Sequence, residues 1–164
     1  MTARLSTEGR LTSFGRDGLV FDVVDQGPLV GEVVVLLHGF PQRSSSWDLP
    51  APLLHASGYR TLAPDQRGYS PRARPRGKIS YRMLFSTSSQ LAEVTVPTLF
   101  INSDSDPVLG RTGAEYTRRF VTGPYAFHTL TGVGHWIRQQ AAPEVAELLR
   151  VHLSSSLPGP ERGR

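Results

Sequence analysis

Hydrophobic and polar residues divide the 164-residue chain into two series of short apolar runs separated by polar turns. In the first series, residues 18–25 alternate from one face to the other, and residues 11–16 form a weaker run before them. The Asp17-Gly18 dipeptide between the two runs is typical of a tight hairpin turn. Residues 33–37 are apolar without a break, which predicts a strand buried on both faces, as in the middle of a parallel sheet.

The segment after this strand predicts a helix and one more strand before the pattern is lost. Residues 49–57 carry an apolar side, and Gly58 ends the helix, as glycine commonly does. Residues 59–63 predict a short strand. From residue 71 to residue 89 there is neither a long apolar run nor a helical period, so no regular structure is predicted there.

The second series repeats the alternation of strands and helices. It predicts a strand at 94–101, a helix at 110–120, a strand at 125–130 and a helix at 142–153. Alternating strands and helices favour a mainly parallel sheet with helices on both faces. The predicted fold class is therefore α/β, with an N-terminal antiparallel hairpin.

Length and composition limit the classes of protein to which the chain can belong. We expect one domain over residues 11–153 and a polar, disordered tail over residues 154–164. The chain has no run of eighteen apolar residues and no apolar signal core at its start, so we expect a cytoplasmic protein with no membrane partner. It has no cysteine, which excludes disulfides and thiolate catalysis.

The net charge of +4 comes from one local patch. Residues 66–92 contain six basic and no acidic side chains, whereas the rest of the chain is slightly acidic. A phosphate or nucleic-acid surface would need such a patch, but Pro71 and Pro75 interrupt it and few aromatic residues accompany it. We therefore interpret the patch as a solvated loop and expect no nucleic-acid partner.

Four stretches in order carry a resemblance to a known family: HGFPQRSSSWD at 38–48, GYRTLAPDQRGYS at 58–70, VPTLFINSDSDPVLG at 96–110 and GVGHW at 132–136. Together they resemble α/β-hydrolases, most closely the epoxide-hydrolase and haloalkane-dehalogenase branch. The resemblance implies a shortened α/β-hydrolase fold. It also implies hydrolysis of ester, epoxide or carbon–halogen substrates, with a small apolar substrate or ligand and no cofactor.

The resemblance assigns roles to particular residues. His135 in GVGHW matches the catalytic histidine, and Asp106 in INSDSDP matches the acid that orients it, with Asp104 as the alternative. Gly39 and Phe40 match the oxyanion loop, in which the main-chain N–H of Phe40 would be one donor. We expect a structural role for a further histidine, His38, which braces this loop.

The family's nucleophile has no counterpart in this sequence. Neither Gly-x-Ser-x-Gly nor Gly-x-Asp-x-Gly occurs, and Ser86, Ser88, Ser89 and Asp104 do not stand in such an elbow. Since one βαβ unit takes about 30 residues or more, two strands, their helices and a cap would amount to roughly a hundred absent residues. Tyr81 in ISYRMLF is the match for a cap tyrosine that polarises an epoxide oxygen.

This internal deletion leaves the strands at 33–37 and 96–101 without their family neighbours. Their loss leaves either two half-sheets with unpaired edges, through which the chain could self-associate, or a direct pairing of these two strands. Because both strands are parallel and apolar, we predict that they pair directly. The five histidines have no metal-ligand spacing, so no metal site is expected. Three functions stay open: a family member that has lost catalysis and survives as a remnant, a non-catalytic α/β binding or interaction module, and a weak hydrolase in which His135 activates water directly.

Overall fold

A computed structural model of the chain describes residues 2–74, 93–109 and 111–156. The chain divides into two units, Met1–Thr87 and Ser88–Arg164. The single domain predicted over residues 11–153 stays a prediction. Within the described residues, no helix is long and apolar enough to cross a membrane.

Among its described residues, the N-terminal unit has a five-stranded sheet in the order β1-β2-β3-β5-β4, one α-helix and two short 3₁₀ turns. Its elements are β1 Thr2–Leu5, β2 Leu11–Arg16, β3 Leu19–Gln26, β4 Val33–Val35, a 3₁₀ turn Ser44–Trp47, α1 Ala51–Ala56, β5 Arg60–Pro64 and a 3₁₀ turn Pro71–Ala73.

The predicted hairpin is present as β2 and β3. Arg16 pairs with Leu19, which leaves Asp17 and Gly18 as a two-residue turn. Both turn residues have positive φ, 52° and 72°, the conformation that a tight hairpin turn of this kind requires and that glycine adopts without strain. The stacked rings of Phe14 and Phe21 pair across the two strands.

The sheet is mixed rather than mainly parallel. β1–β2, β2–β3 and β3–β5 are antiparallel, and β4–β5 is parallel. The predicted shortened α/β fold is confirmed, with parallel pairing where the sequence places strands around a helix. α1 packs against β5 and buries Leu54 completely.

The prediction that residues 33–37 are buried on both faces is wrong. β4 is the last strand of its sheet, and Val33 and Val35 are 53% and 58% exposed. Leu36 alone of this run is buried. The apolar composition suits an inner strand, but the only strand that pairs with β4 in the described part of the chain is β5.

The C-terminal unit contains a two-stranded parallel sheet and three α-helices among its described residues. Its elements are β6 Thr98–Ser103, α2 Arg111–Tyr116 with a 3₁₀ turn Thr117–Phe120, β7 Tyr125–Leu130, α3 Ile137–Gln140 and α4 Ala142–Ser156.

Two boundaries in this unit differ from the prediction. β6 begins after Pro97, which has no N–H to donate to a ladder, and Val94 makes only an isolated bridge to Val121. α4 packs against β6 and continues to Ser156, three residues into the predicted tail. The predicted direct pairing of the strand at 33–37 with that at 96–101 is wrong, because β4 and β6 belong to separate sheets.

A buried carboxylate ties together three strands of the N-terminal unit. The side chain of Asp25, 1% exposed, accepts hydrogen bonds from the Leu11 N–H at 2.6 Å and from Arg60 Nε at 2.9 Å, and it forms an ion pair with Arg10. The hydrogen bond from Arg60 holds the pKa of Asp25 below its usual value, with the Leu11 N–H adding to this and burial opposing it. The cluster therefore depends on an ionised Asp25.

We expect Asp25→Asn to lower the free energy of unfolding of this unit by about 3 kcal/mol, because it removes one partner of a buried charge pair. Since folding lowers the pKa of Asp25, its contribution is complete above the ordinary carboxyl value of about 4 and is lost as pH falls through the lowered value. Urea unfolding followed by Trp47 fluorescence, in a Trp136→Phe background, measures both effects between pH 3 and pH 7.

Asp22→Asn is the matched control, because the Asp22–Arg72 pair lies on the surface of the same unit and its loss should cost less than about 1 kcal/mol. Equal destabilisation by the two substitutions, or an unchanged pH dependence in Asp25→Asn, would contradict the role of the cluster.

Candidate active site

Two strands of the C-terminal unit end side by side. β6 and β7 pair in parallel and in register over six residues, and the rings of Phe100 and Phe127 stack across the ladder at 5.7 Å. Because the carboxyl ends of parallel strands meet at one edge of a sheet, the polar turns that follow the two strands emerge together. These turns carry Asp106 and His135, the residues that the sequence predicts as acid and histidine.

The two predicted residues are in direct contact. His135 Nδ1 lies 2.9 Å from Asp106 Oδ2. The other carboxylate oxygen of Asp106 accepts the N–H groups of Val108 at 2.7 Å and Leu109 at 3.0 Å. Since an ionised carboxylate has no proton to give, Nδ1 is the donor, and in the neutral imidazole Nε2 is the nitrogen without a proton.

Asp106 is well suited to remain ionised. Its side chain is only 10% exposed, and burial alone would raise the pKa. The hydrogen bonds from Leu109, His135 and Val108 outweigh that effect and hold the pKa of Asp106 below its usual value. The carboxylate therefore keeps the imidazole in one tautomer and stabilises the imidazolium when a proton arrives.

Further side chains hold the turn that carries His135. Ser103 Oγ donates to the Gly134 carbonyl at 3.1 Å, and the Gly134 N–H donates to Gln140 Oε1 at 2.9 Å. Trp136 meets the His135 ring edge to face, with ring centroids 4.7 Å apart. The sequence analysis did not identify Ser103 or Gln140, although a serine at the end of an apolar strand is a signal for such a contact.

His135 and Asp106 line a cavity of about 430 Å³ within the C-terminal unit. The other lining residues come from β6, the turn after it, α2 and α3, and most of them are apolar: Phe100, Ile101, Asn102, Ser103, Val108, Leu109, Gly113, Ala114 and Ile137. A cavity of this size is within the range for small-molecule sites. The arrangement combines an imidazole that is oriented by a carboxylate with an apolar surface for a small molecule.

The predicted oxyanion loop belongs to the N-terminal unit. The Phe40 side chain is exposed, its N–H makes no hydrogen bond among the described residues, and the Phe40–Pro41 peptide is cis. His38, which is 5% exposed, accepts the Gln66 N–H through Nε2 at 2.9 Å, and its Nδ1 lies 3.1 Å from the Gly39 carbonyl. The prediction that His38 braces this loop is therefore confirmed.

Asp65 fixes the other end of the loop. Its Oδ1 accepts the Ser44 N–H at 2.9 Å, and its Oδ2 pairs with Arg43. Although burial opposes ionisation, the bonds from Ser44, together with the charge of Arg43, hold the pKa of Asp65 below its usual value. Asp65 thus connects the turn after β5 to the segment after the predicted oxyanion loop.

Several candidates are not part of the Asp106–His135 contact. Asp104, the alternative acid, bonds to Gly132 instead of the imidazole. Tyr81, Ser86, Ser88 and Ser89 lie outside the described residues. Among the residues that the structure describes, no three histidine, aspartate or glutamate side chains come close enough to hold a metal ion.

Comparison with known proteins gives sequence matches over part of the chain. The model of the α/β hydrolase family matches residues 34–81. Epoxide hydrolase A of Mycobacterium tuberculosis is 43% identical over 65 residues, 40% of this chain and 20% of that protein. A haloalkane dehalogenase of Mycobacterium marinum is 41% identical over 61 residues, 37% of this chain and 20% of that protein. The matched stretch is thus about a fifth of each relative. Each of these two relatives is about twice as long as this chain.

The structural match extends further along the chain. The crystal structure of Epoxide Hydrolase A from Mycobacterium thermoresistibile superposes with a TM-score of 0.72 at 17% identity, covering 87% of this chain and 97% of that chain. At this identity the match shows a shared fold.

We expect His38→Ala to lower the free energy of unfolding of the N-terminal unit by about 2 kcal/mol, because the Gln66 N–H loses its buried acceptor. Thr12→Ala, which removes an exposed hydrogen bond in the same unit, should cost less than about 1 kcal/mol. Urea unfolding followed by Trp47 fluorescence, with Trp136 replaced by Phe, compares them. The bracing role of His38 fails if His38→Ala is no more destabilising than Thr12→Ala.

Proposed function

We propose that this chain, a shortened member of the α/β-hydrolase fold family, is a weak hydrolase of small apolar esters in which His135 activates water directly. One observation carries the proposal: an imidazole whose Nδ1 is held by an ionised carboxylate lines an apolar cavity. The hydrolase assignment also has the support of the resemblance to epoxide hydrolases and haloalkane dehalogenases.

The chemistry uses a single addition of water. His135 Nε2 takes a proton from water as its oxygen bonds to the ester carbonyl carbon, and Asp106 stabilises the imidazolium that forms. When the tetrahedral intermediate collapses, the carbon–oxygen bond to the leaving alcohol breaks and the imidazolium returns the proton to that oxygen. The products are a carboxylic acid and an alcohol, and no bond to the protein forms.

Because the nucleophile is absent, we expect a low rate of ester hydrolysis. A positioned general base contributes about 10²- to 10⁴-fold, which is a small part of what a complete hydrolase achieves. The family's second oxyanion donor, which the elbow supplies, has no counterpart in the sequence. Activated esters are therefore the substrates of choice, ahead of epoxides and carbon–halogen compounds.

A second candidate function is a non-catalytic binding module. The mainly apolar lining of the cavity favours it, since such a lining binds a small apolar ligand whether or not chemistry follows. The exposed apolar side chains of β4 favour self-association through that edge. For either function we propose a cytoplasmic location.

We expect His135→Ala to reduce the hydrolysis of p-nitrophenyl acetate by about 100-fold or to the uncatalysed rate, because it removes the general base. Asp106→Asn should lower the rate as well, because it removes the charge that fixes the tautomer. Initial rates at pH 7.5 measure both effects. His128→Ala is the control for unspecific catalysis by an exposed imidazole and should leave the rate unchanged.

Equal rates in the unmodified chain and His135→Ala would exclude the hydrolase. In that case, saturable quenching of Trp136 fluorescence by an apolar ester would favour the binding module, because Trp136 contacts His135 at the cavity.

A further inference from the structure

Asp104 lies at the point where the two turns of the site join. Its N–H donates to the Leu130 carbonyl at 3.1 Å, which adds one backbone bond beyond the last residue of β6. Its Oδ1 accepts the Gly132 N–H at 2.8 Å and the hydroxyl of Ser105 at 2.9 Å. Asp104 therefore connects the turn that carries Asp106 to the turn that carries the histidine.

The bond to Gly132 acts on the backbone that leads to His135. Gly132 has φ of +72°, a conformation that side-chain-bearing residues rarely adopt, and it stands three residues before His135. Ser103 and Gln140 hold the carbonyl and N–H of Gly134, so three side chains fix this short turn from both ends. Without the bond from Asp104, the start of the turn has no side-chain anchor.

The charge of Asp104 strengthens this anchor. The N–H of Gly132 holds the pKa of Asp104 below its usual value, the hydroxyl of Ser105 adds to this, and burial opposes it. A hydrogen bond to an ionised acceptor is stronger than one between neutral groups. Asp104 is not among the residues that line the cavity, so this bond acts on the turn and not on a bound molecule.

We propose that Asp104 is a positioning residue: its carboxylate anchors Gly132 and so holds the His135 imidazole against Asp106. The inference rests on the proposed function, because positioning matters only if the imidazole acts as a base. Of two carboxylates that stand two residues apart, Asp106 orients the ring and Asp104 orients the turn that carries it.

The test is the nitrogen spectrum of the His135 ring in the full chain, recorded by NMR at a pH where the ring is neutral. The unmodified chain should show one tautomer, protonated on Nδ1. Asp104→Ala should give a mixture of tautomers and speed exchange of the Gly132 amide by about tenfold or more. Asp104→Asn keeps an acceptor oxygen for Gly132 and should restore the single tautomer.

Ser105→Ala is the matched control, because it removes the other hydrogen bond of Asp104 and leaves Gly132 bonded. A single tautomer in Asp104→Ala, or equal effects of Asp104→Ala and Ser105→Ala, would overturn the positioning role.

Asp106→Asn separates this inference from the proposed function. If Asp106→Asn alters the His135 tautomer and Asp104→Ala does not, the positioning role fails while the acid–histidine pair stands. If Asp106→Asn has no effect on the tautomer, the pair itself fails, and the positioning role falls with it. In the hydrolysis assay, Asp104→Ala should lower kcat with little change in KM, because ground-state binding in the cavity is retained.

Discussion

The candidate site depends on the in-register parallel pairing of β6 with β7. Because this ladder runs to the last residue of both strands, the two turns that follow them begin side by side at one edge of the sheet, although they lie far apart in the sequence. A slip of one residue would turn every side chain of one strand to the opposite face and separate the turns. The stacked Phe100 and Phe127 and the packing of α4 against β6 oppose such a slip.

The N-terminal unit shows the same principle with different partners. β5 lies between β3 and β4, and the carboxylate of Asp25 connects β3 to β5 and to the start of β2. At the other end of this unit, His38 and Asp65 hold the loop after β4 through backbone N–H groups. In both units, side-chain acceptors fix irregular backbone where it leaves a sheet, which is where binding residues are normally presented.

Much of this organisation is predictable from the sequence, because local patterns determine it. The Asp17-Gly18 turn, the strand at 125–130 and the apolar stripe of α4 all match the structure, since each depends on periodicity and turn chemistry alone. The resemblance to α/β-hydrolases implies Asp106 as the partner of His135, with Asp104 as the alternative, and the structure places Asp106 against the ring.

Other features depend on contacts between distant residues, which no local pattern contains. β1 is a short strand of mixed, exposed residues, and its existence depends on pairing with β2. The exposure of β4 depends on which strands the sheet includes and not on its composition. The roles of Asp25, Ser103, Asp104 and Gln140 come from partners up to 35 residues away.

The central claim is that the Asp106–His135 pair activates water without a covalent intermediate. Intact-protein mass spectrometry during hydrolysis of p-nitrophenyl acetate, paired with rapid measurement of p-nitrophenol release, tests it most directly. The account predicts His135-dependent turnover with no burst and with the mass of the unmodified chain throughout. A burst equal to the protein concentration, together with an acetyl adduct that forms and decays at the turnover rate, would contradict it.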